Sequence, residues 1–255
     1  MPDEVLEKLI SSYMRTDQQN YSFGWQGGEP TLMGVDFFKK VTELQQKYGR
    51  QGALVSNGLQ TNATMIDDDF AAHLAKYNFL LGVSIDGPGK IHDIYRRNGS
   101  DKGSHEAVIN GVEALKRHNV EYNALVLVST ANVERPDEVY DYLLDLGINF
   151  QQYIPCVEFD AEGKPLPYTI SAQQWGNFLS RIFNRWYAKD TRTVSIRDFD
   201  SILQLMVNGT YTMCVQGGYC ASYFVVEYNG DIYPCDFFVE RSKKLGNITS
   251  DTWGD

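Results

Sequence analysis

The stretch YSFGWQGGEPTL, residues 21–32, decides the fold class of this chain because it shows how one of its strands ends. The segment YSFGW predicts a strand, which then breaks into a Gly27-Gly28 turn. Two glycines permit positive φ angles and let a ligand approach the backbone closely, and Glu29 adds a carboxylate for an ammonium group. On spacing alone, an ordinary strand-to-helix turn is the simpler interpretation.

The same unit of strand, polar turn and helix recurs through the first part of the chain. Its period of about 30 residues indicates repeated parallel βα units. A doubly wound sheet and a barrel both fit this rhythm, and in either one the ligand binds at the carboxyl edge of the strands. We predict parallel strands, neighbours in chain order, at residues 21–25, 52–56, 79–85, 122–128 and 149–154.

Two further strand ends carry polar residues that suit a ligand. In SIDGPGKIHDIYRRNG, Ser84 ends a strand, residues 86–88 turn the chain, and Arg96 follows after about one helical excursion. An arginine at the rim of a site can hold a carboxylate with two hydrogen bonds, although a solvated arginine beside Arg97 is the simpler interpretation. In VSNGLQTNAT, residues 55–64, hydroxyl and amide groups at a strand end suit a polar ligand, and turn chemistry explains them equally well.

The pattern changes after Cys156, where a polar loop replaces the strand-helix rhythm. Ser171 then caps a long helix, and a second helix is predicted over residues 198–208. The segment SYFVVEYNGDIYPC predicts a hairpin with Asn229-Gly230 at its turn. We therefore expect a boundary between two units near residues 160–170.

The cysteine spacing is the most specific chemical signal. Cys214, Cys220 and Cys235 form a Cys-x5-Cys-x14-Cys run, and clustered thiolates select zinc or an iron–sulfur centre. The alternative is that these cysteines are buried structural thiols. Their spacing, which closes a predicted hairpin, makes this alternative the less favoured interpretation. Cys156 stands alone and is interpreted as a packed thiol, and His92, without a partner, as a surface or capping histidine.

Composition excludes several classes of protein. The 255 residues are 43% hydrophobic and 13% aromatic, which supports a packed core and argues against disorder. The net charge of -10, with no basic run, argues against nucleic acid or an anionic membrane as the main partner. The N-terminal sequence does not resemble a signal peptide, and the apolar runs are too short to span a bilayer. Four cysteines, three of them clustered, indicate a reducing cytoplasm.

Seven short motifs, in order along essentially the whole chain, resemble the anaerobic sulfatase-maturating enzymes. These are radical S-adenosylmethionine (SAM) proteins with a C-terminal SPASM cluster domain. GGEP and DGP are shared with radical SAM proteins at large, and the cysteine run followed by aspartate narrows the resemblance to the maturases. The motifs are QGGEPTL, LQTN, SIDGP, IHDIYR, VSIRDFD, YPCDF and LGNI.

The resemblance implies an α/β fold. A partial (β/α)6 barrel, open on one side, would occupy residues 1–165, and linking helices with the start of a SPASM domain would occupy residues 166–255.

The resemblance also implies roles for named residues. The SAM-binding residues would be Gln26, Gly27, Gly28, Glu29, Ser84, Arg96 and Val157, of which Gly27, Gly28 and Glu29 offer backbone to the amino group, Ser84 the ribose or methionyl contact, Arg96 the carboxylate contact and Val157 backbone to the adenine. Cys214, Cys220 and Cys235 would ligate an auxiliary [4Fe–4S] cluster, and Asp236 would be the catalytic base.

The chain departs from the family pattern at both ends. The Cys-x3-Cys-x2-Cys loop that holds the SAM-cleaving cluster is absent from these 255 residues, as are the later SPASM cysteines. The resemblance therefore implies that the sequence is the middle of a maturase, that it is inactive and binds iron poorly on its own, and that the missing cluster ligands belong to sequence outside it.

In the implied reaction, a 5′-deoxyadenosyl radical removes a hydrogen from Cβ of a Cys or Ser in a sulfatase polypeptide. Asp236 takes the thiol or hydroxyl proton, an auxiliary cluster accepts the electron, and the aldehyde formed is hydrolysed or retained as formylglycine. The implied partners are the sulfatase and an electron donor such as flavodoxin or ferredoxin, in the cytoplasm. Two alternatives stay open: another radical SAM/SPASM enzyme that modifies a different peptide without needing Asp236, and a non-catalytic remnant that binds SAM or a partner.

Overall fold

The structure, a computed structural model, describes residues 1–218 and 223–252. Strands and helices alternate through the first two thirds of the described chain, and a small strand cluster follows. The strands are β1 (Asn20–Trp25), β2 (Leu54–Thr61), β3 (Leu80–Ser84), β4 (Glu121–Val128), β5 (Phe150–Pro155), β6 (Ser195–Ile196), β7 (Val225–Val226), β8 (Asp231–Tyr233) and β9 (Gly246–Asn247). The helices are α1 (Asp3–Met14), α2 (Gly34–Tyr48), α3 (Asp68–Lys76), α4 (Gly89–Tyr95), α5 (His105–Arg117), α6 (Pro136–Asp145), α7 (Ala172–Lys189) and α8 (Arg197–Asn208).

The main sheet is parallel throughout and runs in the order β1-β2-β3-β4-β5-β6. The predicted order of the first five strands is thus confirmed. Neighbouring βα units that follow one another in chain order, with crossovers of one hand, place their helices on the same side of the sheet. That winding is the radical SAM type of α/β fold expected above, and it leaves the other face of the sheet uncovered by these helices.

The core lies between the sheet and its helices. Tyr21 and Phe23 of β1 pack with Leu6 and Ile10 of α1, while Phe38 of α2 joins a larger cluster. That larger cluster continues over the strands β2 to β5 and the helices α3 to α7. Alternate strand residues supply the apolar side chains, as expected for strands covered on one face.

The second strand is longer and later than predicted. We expected residues 52–56, and β2 instead covers Leu54–Thr61. Its first part pairs with β1, and residues 58–61 pair with β3, so that Gly58 lies within the ladder rather than in a turn. The expectation that VSNGLQTNAT follows a strand end was therefore wrong for most of that stretch, since turn-forming residue types were outweighed by pairing with β1 and, from Gly58 on, with β3.

The second half follows the predicted pattern. Ser171 and Gln174 form a capping box at the start of α7, and Gly209 ends α8 in the left-handed conformation. Strands β7 and β8 form the predicted antiparallel hairpin, with Gly230 at a φ of 89° in its turn. The sequence did not predict β6 or β9, which are two residues each and become strands only through their neighbours.

We predict that Gly111→Ala destabilises the protein and that Gly176→Ala does not, although both glycines lie inside helices. A Cβ at Gly111 would lie 2.1 Å from the backbone oxygen of Ala63, whereas a Cβ at Gly176 would meet no atom within 4 Å. Overpacking against backbone costs about 1–3 kcal/mol, and an unhindered Gly→Ala change in a helix gains about 0.5–1 kcal/mol. Denaturant unfolding of both variants measures the difference. Equal stabilities would contradict the close approach of α5 to the turn after β2.

Candidate active site

Small residues lie on the face of β1 and β2 that is opposite the core. Ser22 and Ser56 share a hydrogen bond of 2.9 Å on this face, and Gly24 is paired in register with Gly58. On β3, Gly82 also lies on the face opposite the core, but Leu125 of β4 fills the space beside it, since a Cβ at Gly82 would lie 2.7 Å from Cδ1 of Leu125. The small residues of β1 and β2 leave room for a ligand or a covering segment against that part of the sheet.

The Gly27-Gly28 turn forms an open backbone cradle directly after β1. Gly27 has a φ of 101° and Gly28 a φ of 56°, conformations that favour glycine, and a Cβ at either position would meet no atom within 4 Å. Within the described residues, neither of their N–H groups has a hydrogen-bond partner. Unpaired, exposed backbone groups next to free space are suited to bind a polar ligand.

The Glu29 side chain has a supporting role that its place in the sequence did not suggest. Its Oε1 accepts hydrogen bonds from the backbone N–H of Thr31 at 3.0 Å and the hydroxyl groups of Thr31 and Thr61 at 2.6 and 2.7 Å. Its Oε2 accepts from the N–H of Asn62 at 2.7 Å. The carboxylate thus ties the end of β1 to the end of β2, and Oε2, which accepts one hydrogen bond, keeps acceptor capacity for the ammonium group that the sequence suggested.

Ser84 and Arg96 lie at the same edge of the sheet as the cradle. Ser84 is the last residue of β3 and is buried, and Arg96 follows α4. The Arg96 guanidinium forms a two-point ion pair with Asp86, with Nε–Oδ2 at 2.6 Å and Nη2–Oδ1 at 3.1 Å. Because Asp86 follows the carboxyl end of β3, as Gly27 follows that of β1, the parallel sheet brings Arg96 and the cradle to one edge.

His92 is buried at 1% exposure, so the interpretation as a surface histidine was wrong. Its Nδ1 accepts from the N–H of Asp86 at 3.3 Å, and its Nε2 lies 3.2 Å from the hydroxyl of Ser104. Ser104 donates to the carbonyl of Arg96 at 2.9 Å, so its hydroxyl oxygen is left to accept from His92. The network therefore fixes His92 as the neutral tautomer with its proton on Nε2.

We predict that His92 makes the protein less stable in acid. Burial lowers the pKa of His92 to about 4, below an unfolded value of about 6.5. A depressed pKa gives stability that is present above pH 6.5 and is lost as the pH falls towards 4, about 2 kcal/mol of it by pH 5. Denaturant unfolding at pH 7 and pH 5 should show this loss, and His92→Gln should show less of it. An equal loss in His92→Gln would assign the acid sensitivity to other groups.

Val157 lies past the carboxyl end of β5 and is 52% exposed. In the described part of the chain, neither its N–H nor its carbonyl has a hydrogen-bond partner, so its backbone is available to a ligand. The preceding Cys156 is buried and free, and burial raises the pKa of its thiol. Cys156 is the packed thiol that the sequence predicted.

Asp236 connects the C-terminal strand cluster to the cradle. Its Oδ2 accepts a hydrogen bond from Gln26 Nε2 at 2.6 Å, and its Oδ1 accepts from the Tyr223 hydroxyl at 2.5 Å and the Cys235 thiol at 3.2 Å. Burial raises the pKa of Asp236, but the hydrogen bonds from Tyr223, Cys235 and Gln26 outweigh it and leave the pKa lowered. A residue 210 positions downstream thus contacts the residue that precedes the cradle.

Two of the three predicted cluster ligands lie in the described chain. Cys214 begins a short 3-10 turn and is exposed, and Cys235 is half-buried just after β8. Cys220 lies outside the described residues. Within them, no group of three or more His, Cys, Asp or Glu side chains could hold a metal ion.

Two protein-family models match this chain, as do relatives and solved structures. The Radical SAM superfamily model matches residues 1–143, and the SPASM iron–sulfur cluster-binding domain matches residues 214–255. A cysteine-type anaerobic sulfatase-maturating enzyme of Clostridium novyi is 34% identical over 98% of this chain and 68% of its own length. The chain belongs to the anaerobic sulfatase-maturating family of radical SAM enzymes.

Serine-type members are equally similar. The serine-type maturase of Bacteroides thetaiotaomicron is 38% identical over 99% of this chain and 64% of its own length. The chain thus spans about two thirds of the length of these maturases. A solved structure described as native anSMEcpe with bound AdoMet and Kp18Cys peptide has a TM-score of 0.93 at 35% identity, over 100% of this chain and 71% of that one. Streptococcus suis SuiB, at 15% identity and a TM-score of 0.66, shares the fold.

Three polar residues of the candidate site were not predicted from the sequence. Asp86 was interpreted only as a turn residue, and Tyr223 and Asn132 were not singled out. Asn132 is fully buried and its Nδ2 donates to the Asp86 carbonyl at 3.0 Å. The aspartate before Gly87-Pro88 was visible in the sequence, but its partner Arg96 is ten residues away, and only the fold shows that they meet.

Proposed function

We propose that this protein oxidises a Cys or Ser side chain of a sulfatase polypeptide to formylglycine, using SAM and iron–sulfur clusters. The observation that carries the proposal is the contact of Asp236 with Gln26, because it joins the base expected for substrate oxidation to the turn expected to bind SAM. Membership of the maturase family supports the reaction class.

The residues at the carboxyl edge fit SAM. The carbonyl oxygens of the Gly27-Gly28 cradle, which accept no hydrogen bond among the described residues, would accept from the SAM amino group, with the cradle held in place by Glu29. The outer edge of the Arg96 guanidinium would bind its carboxylate, Ser84 its ribose or methionyl part, and the Val157 backbone its adenine. SAM, when bound, supplies the radical chemistry that removes a hydrogen from Cβ of the substrate.

The chain fits an auxiliary cluster in donor chemistry. Cys214, Cys220 and Cys235 would hold a [4Fe–4S] centre as thiolates, and of these the structure describes Cys214, in the turn after α8, and Cys235, just after β8. The Cys-x3-Cys-x2-Cys ligands of a SAM-cleaving cluster are not among these 255 residues, so the residues present account for SAM contacts and for the auxiliary cluster alone.

Asp236 would accept the proton of the substrate thiol or hydroxyl. With Cys235 bound to the cluster as a thiolate, Oδ1 would accept only from Tyr223 and Oδ2 only from Gln26, so each oxygen would retain capacity for a proton, and the one beside the cradle is Oδ2. The Gln26 amide would keep this oxygen turned towards the cradle. Removing the proton makes the substrate easier to oxidise.

We divide the chain at residues 165 and 166 into the partial barrel and the unit that carries the SPASM start. The polypeptide substrate would be a sulfatase with a Cys or Ser target, the electron donor a flavodoxin or ferredoxin, and the compartment the cytoplasm, with neither nucleic acid nor membrane as a partner. Among the described helices, none is long and apolar enough to cross a membrane.

The test is an anaerobic assay of the full-length gene product with SAM, a reductant and paired sulfatase peptides that differ only in Cys or Ser at the target. We expect mass spectrometry to detect formylglycine in at least one peptide, together with 5′-deoxyadenosine. SAM cleavage accompanied by a different peptide modification would favour another radical SAM/SPASM activity. Absence of SAM cleavage from a cluster-loaded protein would favour a binding role.

A further inference from the structure

Asp86 is bound from several sides at the end of β3. Its carboxylate Oδ1 accepts the N–H of Leu127 on β4 at 2.9 Å, which continues the β3–β4 pairing past the last residue of the strand. Its backbone carbonyl accepts from Asn132, and its backbone N–H donates to His92. With 7% exposure, Asp86 has little freedom to move.

The fixed Asp86 carboxylate also determines where the Arg96 guanidinium lies. Asp86 binds Nε and one N–H of Nη2. A guanidinium has five N–H groups, so the edge formed by Nη1 and the second Nη2 proton is left. Within the described residues Nη1 has no hydrogen-bond partner, and the Arg96 side chain keeps 26% exposure. Arg96 is thus clamped along one edge and open along the other.

The backbone of Arg96 is fixed by the same set of residues. Its carbonyl accepts from Ser104, which is itself bonded to His92, and its N–H donates to the His92 carbonyl at 3.1 Å. The guanidinium and the backbone of Arg96 are therefore both held by Asp86 or by residues that are hydrogen-bonded to it. Since Asp86 offsets the guanidinium charge, Arg96 offers an incoming anion directed donors more than net positive potential.

We infer that Asp86 is the positioning residue that aims the free edge of Arg96 at the carboxylate of SAM. The inference rests on the proposed function, which places that carboxylate at Arg96. Asp86 itself would not touch SAM. A residue that orients the N–H donors of Arg96 should affect the affinity for ligands that carry the carboxylate. It should leave the affinity for ligands that lack the carboxylate nearly unchanged.

The experiment compares SAM with decarboxylated SAM, which lacks only the carboxylate, in equilibrium binding to the anaerobically purified full-length gene product. The parent should prefer SAM by about tenfold or more, as for one charged hydrogen-bond pair. Arg96→Ala should bring the ratio close to one. Asp86→Asn presents an amide N–H to the Arg96 donors, so we expect its ratio to fall most of the way to that of Arg96→Ala.

The matched control is Asp137→Asn, which breaks the ion pairs of Asp137 with Arg181 and Arg185 between α6 and α7. It should keep the parental ratio. If Asp86→Asn does not fold, Asp86→Glu keeps the charge but shifts the carboxylate by one methylene, and its ratio should also fall.

A folded Asp86 variant with the parental ratio, alongside a collapsed ratio in Arg96→Ala, would overturn the positioning role and leave the proposed function standing. A parent that does not distinguish the two ligands would overturn the proposed SAM site, and this inference with it.

Discussion

Asp236→Asn should abolish formylglycine formation and leave SAM cleavage intact. Asparagine keeps the size of the side chain and its hydrogen bond from Tyr223 or from Gln26, but it cannot take up the substrate proton. Loss of a positioned base costs about 100-fold or more in rate. With the full-length gene product, 5′-deoxyadenosine and formylglycine are measured in the same reaction. The ratio of 5′-deoxyadenosine to formylglycine should rise about 100-fold or more.

The control for Asp236→Asn is Glu240→Gln. Glu240 lies four residues downstream and pairs only with Lys243 among the described residues, at an exposed position. It should keep the parental product ratio. If Asp236→Asn formed formylglycine at the parental rate, Asp236 would have a structural role, and the alternative of a peptide-modifying enzyme without this base would gain support.

Glu29→Ala should cause the largest combined loss of stability and SAM binding. Four hydrogen bonds end on this carboxylate, and their donors include the buried Thr31 and Thr61. Unsatisfied buried donors cost about 1–3 kcal/mol each, so we expect a loss of at least about 3 kcal/mol in the free energy of unfolding. Because the Gly27-Gly28 cradle then loses its anchor to β2, the SAM affinity should fall by about tenfold or more.

The matched control for Glu29→Ala is Asp67→Ala, which also removes a carboxylate that accepts a backbone N–H. Asp67 caps α3 through the N–H of Phe70 at 2.9 Å. Its loss should cost about 1 kcal/mol of stability and leave the SAM affinity unchanged. If the two variants lost SAM affinity in proportion to their stability, the effect of Glu29 would be a general one and not an effect on the cradle.

The sequence predicted the strand order because each βα unit repeats the same local signal. It misjudged β2, whose residues Ser56, Asn57 and Gly58 favour turns in isolation and become a strand only through pairing with β1 and, at Gly58, with β3 as well. It missed β6 and β9 for the same reason, since a two-residue strand has no periodicity of its own and depends entirely on its partners.

At the site, the residue types could be predicted from the sequence, but their hydrogen-bond partners depend on the fold. Gly27 and Gly28 were predictable, since only special backbone angles explain paired glycines after a strand. The hydrogen-bond partners of the Glu29 and Asp86 carboxylates were not predictable. Glu29 binds the end of β2 some thirty residues away, and Asp86 binds both Arg96 and a β4 amide. The contact between Gln26 and Asp236 joins the two halves of the chain, and neither residue's local sequence indicates it.

The central claim is that a SAM-derived radical removes a hydrogen from Cβ of a Cys or Ser held near Asp236. The most direct measurement uses a sulfatase peptide deuterated at Cβ of the target residue, with the full-length gene product, SAM and a reductant under anaerobic conditions. We predict that mass spectrometry will find one deuterium transferred into 5′-deoxyadenosine, in step with formylglycine. Unlabelled 5′-deoxyadenosine from that peptide, with label transferred instead from a peptide deuterated at Cα, would contradict the account.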